Sequence, residues 1–217
     1  EEVMRDEREI GQRVKSGIIG AIRGTGEITT ATIGTIADVV QSAVKETADT
    51  GATVGSVAVG AAKGAISAVG EVGGTAADTT EHTVSRAAQS ASKMGVSVGN
   101  AAKGAVIGSL RGTAEMSGES AKAISSAAHA AVTEASHIGA DVTTAAVGAV
   151  EGAITAAKGS ALTAEDAAAA AATGAVDAAA DIGEAAATRV RRAVEGSIKG
   201  VKVVVRTATD GHQPTAS

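Results

Sequence analysis

The chain has 217 residues, a net charge of −5, 28 Gly and three Met, with no Phe, Tyr, Trp or Cys. Only two leucines, Leu110 and Leu162, join its Val and Ile, so the apolar fraction of 44% is mostly Ala. This excludes disulfide, thiolate-metal and Cys-nucleophile chemistry and a wide core of large side chains, because Ala and Gly bury little area at roughly 25 cal/mol per Å². Stability must then come from helix propensity, close backbone approach or surface shared between chains.

In chain order, residues 1–19 read as a charged, helical lead-in. The chain begins at Glu1 rather than Met, from which we expect a removed leader or a trimmed end, and an extracellular or cell-envelope location ahead of the cytoplasm. From Glu9 to Arg206 one phase of eleven residues persists. One position reads Ile22, Ile33, Val44, Ile66, Leu110, Val132, Ile154, Val176 and Ile198, and another reads Ile28, Val39, Val72, Met94, Met116, Ile138, Ile182 and Val204. Eleven residues in three turns give about 3.67 per turn, so these positions share one broad helical face and the charges lie opposite. The longest weakly polar run, Thr50 to Ala62, is too short to span a bilayer, which takes about 18 residues or more.

A longer period of 44 residues sits on the shorter one, marked by Gly20, Gly64, Gly108, Gly152 and Gly196, by Gly51, Gly95, Gly139 and Gly183, and by Glu27, Glu71 and Glu115. It divides residues 20–206 into tandem helical units over 20–63, 64–107, 108–151, 152–195 and a partial 196–206, followed by a tail at 207–217 that holds Pro214. The expected fold is all-α. Gly51, Gly95 and Gly139 are each followed two residues later by Thr53, Ser97 or Asp141, the order of a C′ glycine and a new N-cap. Gly73-Gly74-Thr75, Ser117-Gly118-Glu119 and Thr163 with Asp166 mark breaks between them. These signals predict stacked hairpins of helices about 20 residues long, in the manner of an α-solenoid. The undisturbed phase argues instead for long helices laid side by side through Ala and Gly.

Glycines four residues apart recur with the same period: Gly20 and Gly24, Gly60 and Gly64, Gly104, Gly108 and Gly112, Gly148 and Gly152, Gly196 and Gly200. Each costs a helix up to about 1 kcal/mol relative to Ala. Such a series is offset if the ridge it makes lets another backbone come close, as small-xxx-small contacts do. Past Arg189 the charge changes sign: Arg189, Arg191, Arg192, Lys199, Lys202 and Arg206 face one acid, Glu195, whereas residues 16–188 carry 17 acids and 9 bases. These cations either offset a helix dipole or form a docking patch for an acidic partner, anionic lipid or the acidic body of another copy, where Glu115, Glu119, Glu134 and Asp141 recur.

No catalytic constellation, cofactor motif or metal-ligand set emerges, and we expect a chain that is not an enzyme. His129, Glu134 and His137 have helical spacing but lack the further ligands a metal needs. Nucleic acid is a poor partner for an acidic chain with no aromatic to stack on bases, and no small-molecule substrate is indicated. The period, with pieces such as Ala61-Ala62-Lys63-Gly64-Ala65 and Val44-Lys45-Glu46-Thr47, resembles hendecad proteins of the synuclein, perilipin and late-embryogenesis-abundant kind and the Ala-rich helical antifreeze proteins. That resemblance covers nearly the whole chain and brings no catalytic residues. The glycine ridge is heavier than a lipid-adsorbing helix needs, and a Thr ladder is missing because Gly64, Arg86, Gly108 and Gly174 fall in phase with Thr53, Thr75 and Thr163. The expected function is a structural protein that self-assembles into a filament, tube or layered oligomer. The alternative is a coat on a membrane or droplet surface, and a third reading is an ice-binding or desiccation-protecting helix.

Overall fold

The computed structural model describes residues 2–25, 54–71, 97–113 and 120–205, with isolated positions between 42 and 93. Within these the chain is mostly helical: α1 (Glu2–Thr25), α2 (Val54–Glu71), α3 (Val98–Thr113), α4 (Ser120–His137), α5 (Val142–Ala157), α6 (Ala164–Ile182) and α7 (Glu184–Val194). Two short strands follow, β1 (Gly196–Ile198) and β2 (Val201–Val203). The longest of these helices has 24 residues. Helices α3 to α6 begin at residues 98, 120, 142 and 164, so each helix with its turn occupies 22 residues, or two periods of eleven. The breaks are counted into the period, which is why they leave its phase undisturbed.

The turns form where capping residues satisfy the orphan backbone groups of helix ends. At the end of α4, Gly139 has a φ of 69°, the Ala140 N–H donates to the Ala135 carbonyl at 2.7 Å, and the Gly139 N–H donates to Ser136 at 3.2 Å. This is a Schellman motif, which favours a glycine in the left-handed region. Two residues on, the Asp141 carboxylate accepts the Thr143 and Thr144 N–H groups at 3.1 Å each and caps α5. Thr163 caps α6 by accepting the Asp166 N–H at 3.0 Å, and its hydroxyl donates to the Asp166 carboxylate at 2.8 Å. Ser97 stands just before α3, and its carbonyl accepts the Asn100 and Ala101 N–H groups at 3.1 and 3.3 Å, as an N-cap residue does; the other expected caps, around Gly51, Gly73 and Gly118, and Gly95 itself lie outside the described residues.

The Thr144 hydroxyl does most to hold the Asp141 carboxyl below its ordinary pKa of 3.8; partial burial opposes it and the Thr143 and Thr144 N–H groups assist. A carboxylate lowered in the folded state contributes fully above its unfolded value, and the contribution is lost as pH falls through the folded value. Asp141→Ala is therefore expected to cost about 0.5 to 2 kcal/mol at neutral pH. In urea titrations at stepped pH, the gap between variant and wild type should close as pH drops below 3.8. A gap that stays constant down to the acid limit would show that the carboxylate charge contributes nothing.

Between α3 and α6 the heaviest packing is of next-but-one helices, α3 on α5 and α4 on α6. One layer holds α1 against α2, α2 against α3, α3 against α5 and α5 against α7, and α4 lies against α6 in a second layer. Consecutive helices from α3 to α7 make the contacts between layers. One hydrophobic cluster joins Ile124 and Val132 of α4 to Val106 and Leu110 of α3 and to Val150 and Ile154 of α5. In the first apolar series Leu110, Val132, Ile154 and Val176 are all buried. Of the second, the three positions that lie among the described residues are not in the core its phase predicts. Ile138 sits in a turn, half-buried, while Ile182 at the end of α6 and Val204 after β2 are 42% and 54% exposed. Buried hydroxyls bond within their own helix, Ser109 to the Ala105 carbonyl at 2.8 Å and Thr113 to Ser109 at 3.0 Å.

The C-terminal end corrects the helical reading of residues 196–206. Gly196 has a φ of 117°, and Lys199 and Gly200 have φ of 50° and 79°. Positive φ at both central residues joins Ile198 to Val201 through a two-residue hairpin turn. The valines beyond it favour a pleated strand. Val203 and Val205 are buried, and β2 rests on α6, so the hairpin covers the end of the helical stack. The sequence-based cuts at 20, 64, 108 and 152 fall inside α1, α2, α3 and α5, so they mark repeat phase rather than structural boundaries. Residues 207–217 lie outside the described residues.

Candidate functional site: glycine contacts, the basic end and a basic groove

The glycines act where helices of one layer cross. A Cβ on Gly152 would lie 2.5 Å from the Lys103 carbonyl oxygen, and one on Gly148 would fall on the Gly99 carbonyl. Gly108 meets the Val59 carbonyl and the Ala62 methyl in the same way, and Gly64 meets the Gly11 carbonyl. In each pair the hydrogen that stands in place of Cβ points at a carbonyl oxygen, a weak contact worth about 0.5 to 1 kcal/mol. Three of these partners, and Gly174 on Ser125 in the second layer, are 49 residues apart, which is one repeat plus five. The first crossing is displaced by one helical turn, since Gly64 rather than Gly60 lies over Gly11.

Gly60 still takes part, because its carbonyl oxygen would stand 3.2 Å from a Cβ on Gly11. Gly104 and Gly112 are buried on α3. Gly24 lies in the last turn of α1. Gly20 faces open space, with nothing within 4 Å of where a Cβ would stand. Gly196 and Gly200 belong to the hairpin and serve its positive φ rather than helix packing, so their place in the packing ridge is corrected. Gly11, Gly99 and Gly174 pack closely but are missing from the ridge read from the sequence; for Gly99 the four-residue spacing from Gly95 and the 44-residue step from Gly11 through Gly55 were the available signals. These contacts are made between helices of one chain.

The basic residues divide by element. Arg189, Arg191 and Arg192 lie on α7, the last two in its final turn, where cations offset the helix dipole. Arg191 also pairs with Glu195 at 3.4 Å. Arg189, Arg192, Lys199 and Lys202 are at least partly exposed, and Arg206 lies outside the described residues. Among the acids expected to receive them, Glu134 is only 6% exposed and Asp141 is engaged as a cap, whereas Glu115 and Glu119 lie outside the described residues. His137 is exposed and Glu134 is buried, and His129 meets Asp181 at 3.4 Å. Among the described residues no group of three or more His, Cys, Asp or Glu is placed to hold a metal ion. No helix among them is long and apolar enough to cross a membrane.

Two grooves lie along the crossings of the first layer. One, of about 290 Å³, runs between α3 and α5 and includes Asn100, Lys103 and Glu151. Glu151 accepts Lys103 at 3.0 Å and stands 3.8 Å from Lys199, whose ammonium also reaches the Thr155 hydroxyl at 3.5 Å. Partial burial, followed by the neighbouring Lys103, holds Lys199 below its usual pKa, and Glu151 opposes them. The other groove, of about 400 Å³, runs between α1 and α2 and carries Arg8, Lys15, Lys63 and Arg111 over a floor of glycine backbone.

No family model and no curated protein matches the chain. Among solved structures it is similar to a de novo designed helical repeat protein, at 18% identity and a TM-score of 0.41, over 88% of this chain and 94% of that one.

Proposed function

We propose that the chain is a non-enzymatic structural protein: an α-solenoid-like stack of 44-residue helical hairpins that associates with copies of itself. The observation that carries this reading is the recurrence of one backbone contact at a fixed step, Val59 with Gly108, Gly99 with Gly148 and Lys103 with Gly152. Repeats that meet only their neighbours make an extended scaffold with large surface per residue. With these glycine contacts made inside the chain, association falls to charged faces. The basic Arg189, Arg192 and Lys202 and the acidic Glu165, Asp177, Asp181 and Glu184 that precede them in the chain are exposed. Exposed charges of both signs suit pairing between copies.

The aliphatic face that a lipid coat would use is buried here, with Ile18, Leu110 and Ile124 almost fully covered. Sedimentation velocity with circular dichroism, with and without liposomes, tests the proposal. A large, helical species without lipid is expected, and a disordered monomer that folds only on liposomes would overturn it. Exposed charge pairs are screened over about 8 Å at physiological ionic strength. The assembled fraction should accordingly fall in steps between low and high salt, and fall further when Arg189, Arg192 and Lys202 are changed to Gln. An unchanged size across the salt series would remove charge as the basis of association.

A further inference from the structure

The last helix of the first layer stops short of what its repeat encodes. Helices α3 and α5 end at Thr113 and Ala157, both equivalent to residue 201 by the 44-residue step, yet α7 ends at Val194. The stretch Gly108-Ser-Leu-Arg-Gly112 is helical in α3, whereas Gly196-Ser-Ile-Lys-Gly200, which differs by Ile for Leu and Lys for Arg, forms the hairpin. In the helices Gly108 lies against the Val59 carbonyl and Gly152 against the Lys103 carbonyl; Gly196 has nothing within 4 Å of where a Cβ would stand. Arg192 supplies a reason for the break. It stands where the repeat has Gly60, Gly104 and Gly148, and at Gly148 even a Cβ would fall on the Gly99 carbonyl. With a long side chain there, α7 cannot cross α5 as closely as α5 crosses α3. The chain turns back through Lys199 and Gly200 instead, buries Val203 and Val205, and reaches Thr155 and Glu151 of α5 with the Lys199 ammonium. On α1 the same repeat position is open: Gly20, the equivalent of Gly64, Gly108 and Gly152, has nothing within 4 Å.

We propose that the hairpin is an autoinhibitory cap, which holds residues 195–201 out of the helix their repeat encodes and so keeps α1 of a second copy from stacking on α7. The inference rests on the reading of the chain as one that meets copies of itself. A second copy is the occupant that fits, because Ala187 is the equivalent of Gly11 and Gly20 the equivalent of Gly64. Gly20 of that copy over the Ala187 carbonyl would reproduce the contact of Gly64 with the Gly11 carbonyl that the chain makes within itself. Helix α1 has 24 residues, and laid on α7 it would find only 11 residues of helix. Beyond Val194 it would meet the hairpin in place of about two further turns. Terminal units of repeat proteins close the end of a stack in the same way. The cap limits growth along the stack and leaves association to the charged faces.

Sedimentation velocity and circular dichroism of the full chain at about 1 M salt, where charges are screened beyond ~3 Å, test the cap apart from charge pairing. The wild type should be monomeric there. Arg192→Gly combined with Gly200→Ala gives α7 the pattern of α5, which has Gly148 and Ala156 at those positions. This variant should gain helical signal for residues 195–201, and its weight-average mass should at least double and rise with concentration. Adding Gly20→Leu, at the open position of α1, should return it to a monomer with the helical gain retained. Gly200→Ala alone strains the turn, where φ is 79°, without touching α7. It should show both effects in smaller measure, so a misfolded double variant does not leave the question open. The inference is overturned if the folded variants gain no helix, if they gain helix and stay monomeric, or if Gly20→Leu leaves their mass unchanged. A wild type as large as the variants at that salt would overturn it too. A wild type that is monomeric at low salt as well would sink the charged-face reading, while the variants still decide on the cap.

Discussion

A single methyl group at Gly152 should destabilise the chain by about 1 to 3 kcal/mol, whereas the same methyl at Gly20 should stabilise it by roughly 0.5 to 1 kcal/mol. Both glycines are 44-residue equivalents inside helices, and intrinsic propensity favours Ala at both. Their surroundings reverse the sign at one of them. At Gly152 the methyl would stand 2.5 Å from the Lys103 carbonyl oxygen and 3.1 Å from its carbonyl carbon, and backbone cannot swing aside as a long side chain can. Relief requires α3 and α5 to separate, which loses contacts along the crossing. At Gly20 nothing lies within 4 Å, so only the entropy of the unfolded chain changes. Urea unfolding of the two Ala variants measures both effects. Equal shifts of the same sign would show that close approach does not explain the glycine series. Leu at Gly64, Gly108 and Gly152 together should abolish the stack while an isolated segment keeps its helical propensity.

Leu110→Ala is expected to cost about 2 to 5 kcal/mol, the range for deleting a buried Leu. Leu110 is 1% exposed and lies in the cluster that joins the two layers. Its neighbours there are chiefly Ala and Val, short side chains that reach poorly into the space left behind, so the cavity should persist rather than collapse. Ile182, 42% exposed, provides the contrast: its change to Ala should cost well under about 1 kcal/mol. Because each repeat meets only its neighbours, the loss at Leu110 should appear as early exchange of amide hydrogens in α3 and α4 ahead of α6. A denaturation midpoint unchanged by Leu110→Ala would mean that the interface between layers contributes little.

Part of this fold was legible without coordinates because it depends on local chemistry. The Gly139 and Asp141 pair stops one helix and starts the next through hydrogen bonds among residues close in sequence, and Thr163 with Asp166 does the same. Helical period and the burial of Leu110, Val132, Ile154 and Val176 likewise follow from spacing along one face. The C-terminal hairpin also had a local signal, a Lys199-Gly200 turn before a run of valines, but the 44-residue match at Gly196 hid it.

What the residues determined by themselves, then, is where helices form, where they break and which face is apolar, since each depends on neighbours within a turn or two. Whether the glycine ridge would meet its own chain or another was decided only by tertiary structure. So was the meeting of Lys103, Glu151 and Lys199, because they come from α3, α5 and the hairpin turn, and 96 residues separate the first from the last. The physical reason is that packing between helices depends on the crossing and register of whole elements, here a step of 49 residues rather than 44. Local spacing reports the face a residue occupies, and only the assembled stack reports what that face touches.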